Sequence, residues 1–192
     1  MILFVSAVRE ELGDLPGEAL GVGYVVAATR MATLLSETRP SGVVMLGTAG
    51  SYPNGPETGS AVVARRIGLS LGVAVMGLGY VPRPPVPYRC DSRMMDKLDL
   101  PQVDVLSVGA ITTDNVLADR LSDGWQIEQM EAYGTAHACA QAGVPFVGIY
   151  GISNQVGPSA HTEWLAHRGD ARDRVRAAAD VFLAPTKLTQ QG

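Results

Sequence analysis

Short apolar runs, rich in β-branched residues, recur along the chain and are separated by polar, glycine-bearing and proline-bearing segments. Ile2 to Ala7 is the first such run. A continuous run of four to eight apolar residues predicts a strand buried on both faces. GVVML at Gly42 to Leu46, VDVLSVGA at Val103 to Ala110 and Phe146 to Ile152 repeat the pattern, and Ser60 to Ala64 and Val73 to Met76 are further candidates. Between them the period changes. After Gly21-Val22-Gly23, the residues Ala27, Ala28, Met31, Leu34 and Leu35 recur at helical spacing, and Pro40 follows as a stop. A short helix is predicted from Val116 to Leu121, and another from Glu131 to Ala142, closed by Gly143 and Pro145. His161 to Leu183 reads as a closing amphipathic helix, broken near Gly169, with Arg168 to Arg176 as its solvated charged face. Arg9 to Leu12 is the first turn of a short helix, or a loop, at the carboxyl end of the first strand. Gly13 to Gly21 is predicted as loop.

Strands alternating with helices predict an α/β fold: three layers, α/β/α, around a central mixed, mostly parallel sheet. A chain of 192 residues with 46% apolar content suits one domain over residues 1–192, with Lys187 to Gly192 predicted to fray. Gly79 to Asp91, GYVPRPPVPYRCD, is too rich in proline for a helix or a central strand. It is an extended loop that covers a site, meets a second subunit or is a solvated linker.

Composition narrows the chemistry. The net charge is -4 and the basic residues are scattered, which argues against nucleic acid as a partner. No apolar run is long enough to span a membrane, and no basic leader precedes the first strand, so a cytoplasmic location is expected. Cys90 and Cys139 lack metal-site spacing and read as buried free thiols. No metal and no cofactor is expected.

The candidate site comes from convergence. In an open α/β sheet, ligands sit beyond the carboxyl ends of strands and at helix starts. Four polar segments fall at strand ends: Arg9 to Glu11, Gly47 to Ser51, Ile111 to Asn115 and Ser153 to Gly157. Glu131 stands at a helix start and Asn154 just past a strand, both within the stretch Trp125 to Gly157. The bland reading of Glu10 and Glu11 is a solvated acidic pair, and that of Gly47 to Ser51 a tight turn. His137 reads as a packed histidine, His161 and His167 as surface residues. Together the segments predict a pocket whose charges are chiefly Glu11 and Glu131. Two carboxylates and an amide without a metal cluster suit chemistry through a cationic sugar. One carboxylate orients or deprotonates water, another holds sugar hydroxyls, and the amide donates to a leaving base.

Four motifs, in order, resemble the nucleoside phosphorylase and nucleosidase superfamily: SAVREEL at Ser6 to Leu12, GVGYVVAATRMATLL from Gly21, VVMLGTAGS from Val43 and EQMEAYGTAHACAQAGVPFVGIYGISN from Glu128. The resemblance implies that Glu11 activates water and that Met130 and Glu131 contact ribose, with Glu131 on the 2′-hydroxyl. It implies further substrate contacts from Thr48, Ala49, Gly50, Gln129 and Ser153. Asn154 falls where adenine-specific nucleosidases carry a proton-donating aspartate; an amide donates a hydrogen bond but no proton, which suits a 6-oxopurine. ISNQVG with Trp164 downstream is similar to the futalosine hydrolases of menaquinone biosynthesis, which release hypoxanthine. The expected partners are a small purine nucleoside and water, within a homo-oligomer, dimer or hexamer. The alternatives are a purine nucleoside phosphorylase, a methylthioadenosine/S-adenosylhomocysteine nucleosidase and a non-catalytic nucleoside-binding protein. Phosphorylases hold phosphate with arginines, for which the candidates are Arg9, Arg65 and Arg66. The family's hairpin before the G-[IV]-G turn is shortened here to Gly13 to Leu20.

Overall fold

In the computed structural model, which describes residues 1–183, the first apolar run is strand β1 (Ile2–Ser6), followed by a single helical turn, α1 (Arg9–Leu12). The expected loop holds a short strand instead, β2 (Gly17–Ala19), paired in parallel with β1. Gly17 makes this edge strand possible, because a side chain there would strike the Phe4 carbonyl. Arg9 ties the connection down, donating to the carbonyls of Gly17 (2.9 Å), Gly13 (3.1 Å) and Leu15 (3.2 Å). Helix α2 (Tyr24–Thr38) starts after Gly23 and ends at left-handed Arg39, just before Pro40.

Strand β3 (Gly42–Ser51) runs ten residues, so the small-residue segment from Gly47 lies inside the strand rather than in a loop beyond it. Strand β4 (Ala61–Leu69) follows. Val73 to Met76, expected as a strand, falls instead in a helical turn, α3 (Gly72–Val75), which buries no residue; among the described residues the segment pairs with no strand. The proline-rich segment has no regular structure apart from β5 (Tyr88–Arg89), which pairs antiparallel with β4. Then come α4 (Ser92–Met95), β6 (Gln102–Ser107), α5 (Asn115–Leu121), β7 (Ile127–Gln129), α6 (Ala132–Ala142), β8 (Phe146–Gln155) and α7 (Ala160–Ala179). Asp91 and Asp114 cap α4 and α5 by accepting from the amides three residues on. Helix α7 is unbroken at Gly169. A glycine inside a helix costs about 1 kcal/mol relative to alanine, and burial of Ala171, Val175 and Ala179 outweighs it. The terminal residues expected to fray lie outside the described part.

The eight strands form one mixed sheet in the order β2-β1-β3-β7-β6-β4-β5, with β8 paired to both β3 and β4. Because β8 bridges β3 and β4, the sheet curls back on itself through β3, β7, β6, β4 and β8. The expected open sheet is therefore closed over part of its width. Strand β3 is the hub. Its first half lies between β1 and β8, and its end lies between β7 and β8. Val43 to Leu46 and Val147, Ile149 and Ile152 are almost wholly buried, as strands covered on both faces require.

Two glycines set how closely the helices approach. At Gly151, under α7, a Cβ would run into the Ala171 backbone. At Gly134, in α6, a Cβ would collide with the Tyr24 carbonyl and lie 3.1 Å from the Ala28 nitrogen, so α6 meets the first turn of α2 backbone to backbone. Gly134→Ala is expected to push the two helices apart and to destabilise the protein by about 1–3 kcal/mol, the usual cost of overpacking. Urea unfolding measures this, and an unchanged midpoint would show that the contact is not a tight one.

Candidate active site

A cavity of about 300 Å³ opens at the carboxyl ends of β1, β3, β7 and β8. All nine residues singled out from the sequence line it: Glu11, Thr48, Ala49, Gly50, Gln129, Met130, Glu131, Ser153 and Asn154.

Glu11 is buried while its neighbour Glu10 is exposed, so the two are not a solvated pair. Strand β1 ends at Ser6, short of Thr48, and leaves the Thr48 amide without a strand partner. That amide donates to Glu11 Oε1 at 3.1 Å, and the Ala7 amide donates to Oε2 at 3.2 Å. The Thr48 hydroxyl stands 3.5 Å from Oε1 and accepts from the Trp164 indole at 3.2 Å. Burial pushes the Glu11 carboxyl up to about 7, the Thr48 amide opposes this, and the neighbouring charge of Glu131 adds to it.

Glu131 occupies the N-cap position of α6 but does not cap the helix. Gln129 does so, its Oε1 accepting from the amides of Glu131 (2.6 Å) and Ala132 (2.8 Å) while its Nε2 donates to Ser107 Oγ (2.5 Å). Glu131 is thereby left facing the cavity. Its Oε1 accepts from the Gly23 amide at 2.9 Å and its Oε2 from the Met130 amide at 3.2 Å. The Gly23 contact follows from the α2–α6 approach at Gly134, and Gly23 holds a φ of 92°, which favours glycine. Burial raises the Glu131 carboxyl above its ordinary range, against the Gly23 amide.

Asn154 lies within β8, not beyond it. Ala49 pairs with Ile152 and Gly50 with Asn154, which leaves Ser153 as the extra residue of a bulge. In a regular strand Ser153 and Asn154 would face opposite ways; the bulge turns both to the cavity. Ser153 Oγ donates to Asn154 Oδ1 at 2.9 Å, and Asn154 Nδ2 donates to the Gln155 carbonyl at 2.9 Å. The second contact fixes the amide with its NH2 toward that carbonyl, and one N–H remains for a ligand.

The phosphorylase superfamily model matches residues 15–184. The chain belongs to the phosphorylase superfamily. Among its relatives, the 5′-methylthioadenosine/S-adenosylhomocysteine nucleosidase of an Exiguobacterium species is 30% identical over 188 residues, covering 89% of this chain and 79% of the relative. The futalosine hydrolase of Thermus thermophilus is 28% identical over 159 residues, covering 75% and 71%. The crystal structure of 5′-methylthioadenosine/S-adenosylhomocysteine nucleosidase from Neisseria meningitidis superposes with a TM-score of 0.80 at 18% identity, covering 94% of this chain and 97% of that one. At that identity the likeness speaks for the fold.

Several lining residues of this superfamily member were not singled out from the sequence. Glu128 is a third carboxylate in the cavity, 5% exposed, on the short strand β7. Its only sequence signal is an acidic residue just before Gln-Met-Glu. Val22, Val108 and Ile111 supply apolar wall. His161 and Trp164 line the mouth, their rings stacked at 5.8 Å, and the Arg168 guanidinium lies 4.5 Å from the Trp164 ring centre. His161 and His167 are exposed, and so is His137, expected to be packed: it sits outside the cavity with its Nδ1 2.6 Å from the Tyr88 hydroxyl. Among the described residues no cluster of three or more His, Cys, Asp or Glu is placed to hold a metal ion, and no helix is long and apolar enough to cross a membrane.

Glu11 also predicts a pH dependence of stability. Its carboxyl rises from 4.5 to about 7 on folding, so the folded chain binds that proton more tightly than the unfolded chain. Stability is then lost as pH rises from about 4.5 through about 7 and is level above, a loss on the order of 3 kcal/mol from this group. In Glu11→Gln that contribution disappears. Urea unfolding at pH 5 and pH 8 is expected to show a smaller decrease for the variant than for the wild type; equal decreases would contradict the burial argument.

Proposed function

We propose that this chain hydrolyses the N-glycosidic bond of a purine nucleoside, with futalosine as the substrate and hypoxanthine and dehypoxanthinyl futalosine as the products. The observation that carries the hydrolytic reading is the cavity's charge. Glu11 and Glu131 face it, and among the described residues no lysine or arginine lines it. The arginines that could have held phosphate are engaged elsewhere. Arg9 is spent on three backbone carbonyls. Arg65 and Arg66 lie in β4 and both bind Asp104, at 2.7 and 2.9 Å. A phosphate nucleophile would meet three carboxylates, Glu128 among them, and no countercharge, whereas water carries no such cost.

In this reading Glu11 takes a proton from the attacking water, a task suited to a group titrating near neutral pH. Glu131 accepts from the ribose hydroxyls and stabilises the positive charge that develops on the sugar as the bond breaks. The C1′–N bond breaks with its electron pair going to the base, which leaves as an anion stabilised by the free N–H of Asn154 and takes its proton from solvent, while Glu11 gives the proton of water back to solvent. Thr48, held by Trp164, keeps Glu11 in place. Relatives of both names share these lengths of sequence, and the 30% identity to the Exiguobacterium enzyme favours a methylthioadenosine/S-adenosylhomocysteine nucleosidase as the second reading. Asn154 favours the first, because a neutral amide donates no proton to adenine.

Incubation with futalosine, inosine and methylthioadenosine, with and without phosphate, followed by chromatography of the free base, separates these readings. Hypoxanthine released from futalosine without phosphate is expected, and strict phosphate dependence would overturn hydrolysis. Glu11→Gln and Glu131→Gln are each expected to lower turnover by about 10²–10⁴-fold, the scale of acid–base catalysis. In the wild type, kcat/KM should rise with pH up to about 7 as Glu11 loses its proton, then level.

A further inference from the structure

A second cavity, of about 530 Å³, lies between the end of β4, the end of α5 and the proline-rich segment. It shares no lining residue with the first. Its walls are mostly apolar, with Leu71, Val75, Pro84, Pro85 and Leu121 around Trp125. Cavities of this size and character are where small molecules bind, given a few well-placed polar groups.

The polar groups are present. Ser70 follows β4 and extends its ladder, its amide donating to the Ser107 carbonyl at 2.9 Å. By strand alternation Arg66, Gly68 and Ser70 share one face. Gly68 leaves room on that face for the Trp125 indole, which a Cβ there would strike. The Arg66 guanidinium lies 4.5 Å from the indole ring centre. Trp125 is thus fixed on the side that Ser70 faces, and both line the cavity. Ser70 is 9% exposed, and its hydroxyl finds no hydrogen-bond partner among the described residues. A buried hydroxyl left unpaired is costly, and a ligand that bonds to it recovers that cost.

The rim is charged. Arg120 and Asp123, at the end of α5 and just after it, line the cavity and are exposed. Neither joins an ion pair among the described residues, and Arg120 reaches only the Val75 carbonyl, at 3.5 Å. Opposite charges three residues apart, both free, match a ligand that carries both signs. Apolar walls around an indole match a flat side chain, and a buried hydroxyl matches a polar tip. We propose that this cavity binds an amino acid whose aromatic side chain ends in a hydroxyl, tyrosine being the simplest. Its carboxylate meets Arg120, its ammonium meets Asp123, its ring lies against Trp125 and its tip bonds to Ser70. The inference is independent of the nucleosidase reading.

The chain has two tryptophans, one in each cavity. Their indole N–H signals in a heteronuclear NMR spectrum of the full chain, assigned with Trp164→Phe, report the two cavities separately. L-Tyrosine is expected to move the Trp125 signal saturably and to leave the Trp164 signal in place. Tyramine lacks the carboxylate and hydroxyphenylpropionate lacks the amine; each should bind about fivefold more weakly, the upper range for an exposed ion pair. L-Phenylalanine should also bind about fivefold more weakly, for want of one neutral hydrogen bond. Arg120→Ala should erase the difference between tyrosine and tyramine. Ser70→Ala should erase that between tyrosine and phenylalanine, and the fold should tolerate it because the hydroxyl has no partner to lose. A Trp125 signal that ignores L-tyrosine overturns the proposal. Equal binding of all four compounds overturns it too, marking the cavity as an unspecific apolar cleft.

Discussion

Three carboxylates share one cavity, and among the described residues that line it none is a cation. Burying an ionised carboxylate is costly unless hydrogen bonds replace the lost water. Here backbone amides do this in every case: Ala7 and Thr48 for Glu11, Gly23 and Met130 for Glu131, Thr112 for Glu128. The donors come from the ends of β1 and β3, the start of α2, the turn into α6 and the loop after β6. Each carboxylate therefore clips together segments far apart in sequence. The site and the fold around it are held by the same bonds.

That arrangement demands backbone where side chains would normally stand. Gly134 lets α6 approach α2 closely enough for the Gly23 amide to reach Glu131. Gly50 clears the space in which Asn154 leans over β3. The bulge at Ser153 turns two successive residues of β8 to the same side. Early termination of β1 frees the Thr48 amide, which a longer strand would have consumed in its ladder. In each case a defect in regular structure supplies a donor or an opening.

These defects explain what could be read from the sequence and what could not. Runs such as Ile2 to Ser6 and Val43 to Leu46, and the helical spacing from Ala27 to Leu35, carry their structure in local pattern, and the mixed α/β character followed from their alternation. The convergence of Glu11, Thr48, Glu131 and Asn154 was legible because polar residues at strand ends gather on one side of a sheet. The lengths of β3 and β8 were not legible. Their small polar ends are held in strand conformation by pairing with each other, a long-range contact that local pattern does not record. Strand β2 depends on the close approach of Gly17 to Phe4, a contact between segments that local pattern does not record either. Glu128 escaped notice for the same reason as β3: its place beside Asn154 exists only because β7 and β8 flank Gly50.

The electrostatic tension between Glu11 and Glu131 bears directly on the chemistry proposed. In the resting site the charge of Glu131 disfavours ionised Glu11, and burial disfavours both as anions. A positive charge forming on a sugar held between them would reverse that balance. Both carboxylates are stabilised as anions while the sugar is cationic; Glu11 takes the proton of water as that charge is quenched and sheds it to solvent before the next turnover. The stabilisation is largest in the transition state, where the sugar is most cationic, and small with a neutral nucleoside bound, which is the difference that accelerates a reaction. The same negative field repels an anionic nucleophile and leaves water unaffected. Choice of nucleophile and stabilisation of the sugar cation would then come from one pair of buried charges, while the leaving base is left to the neutral amide of Asn154.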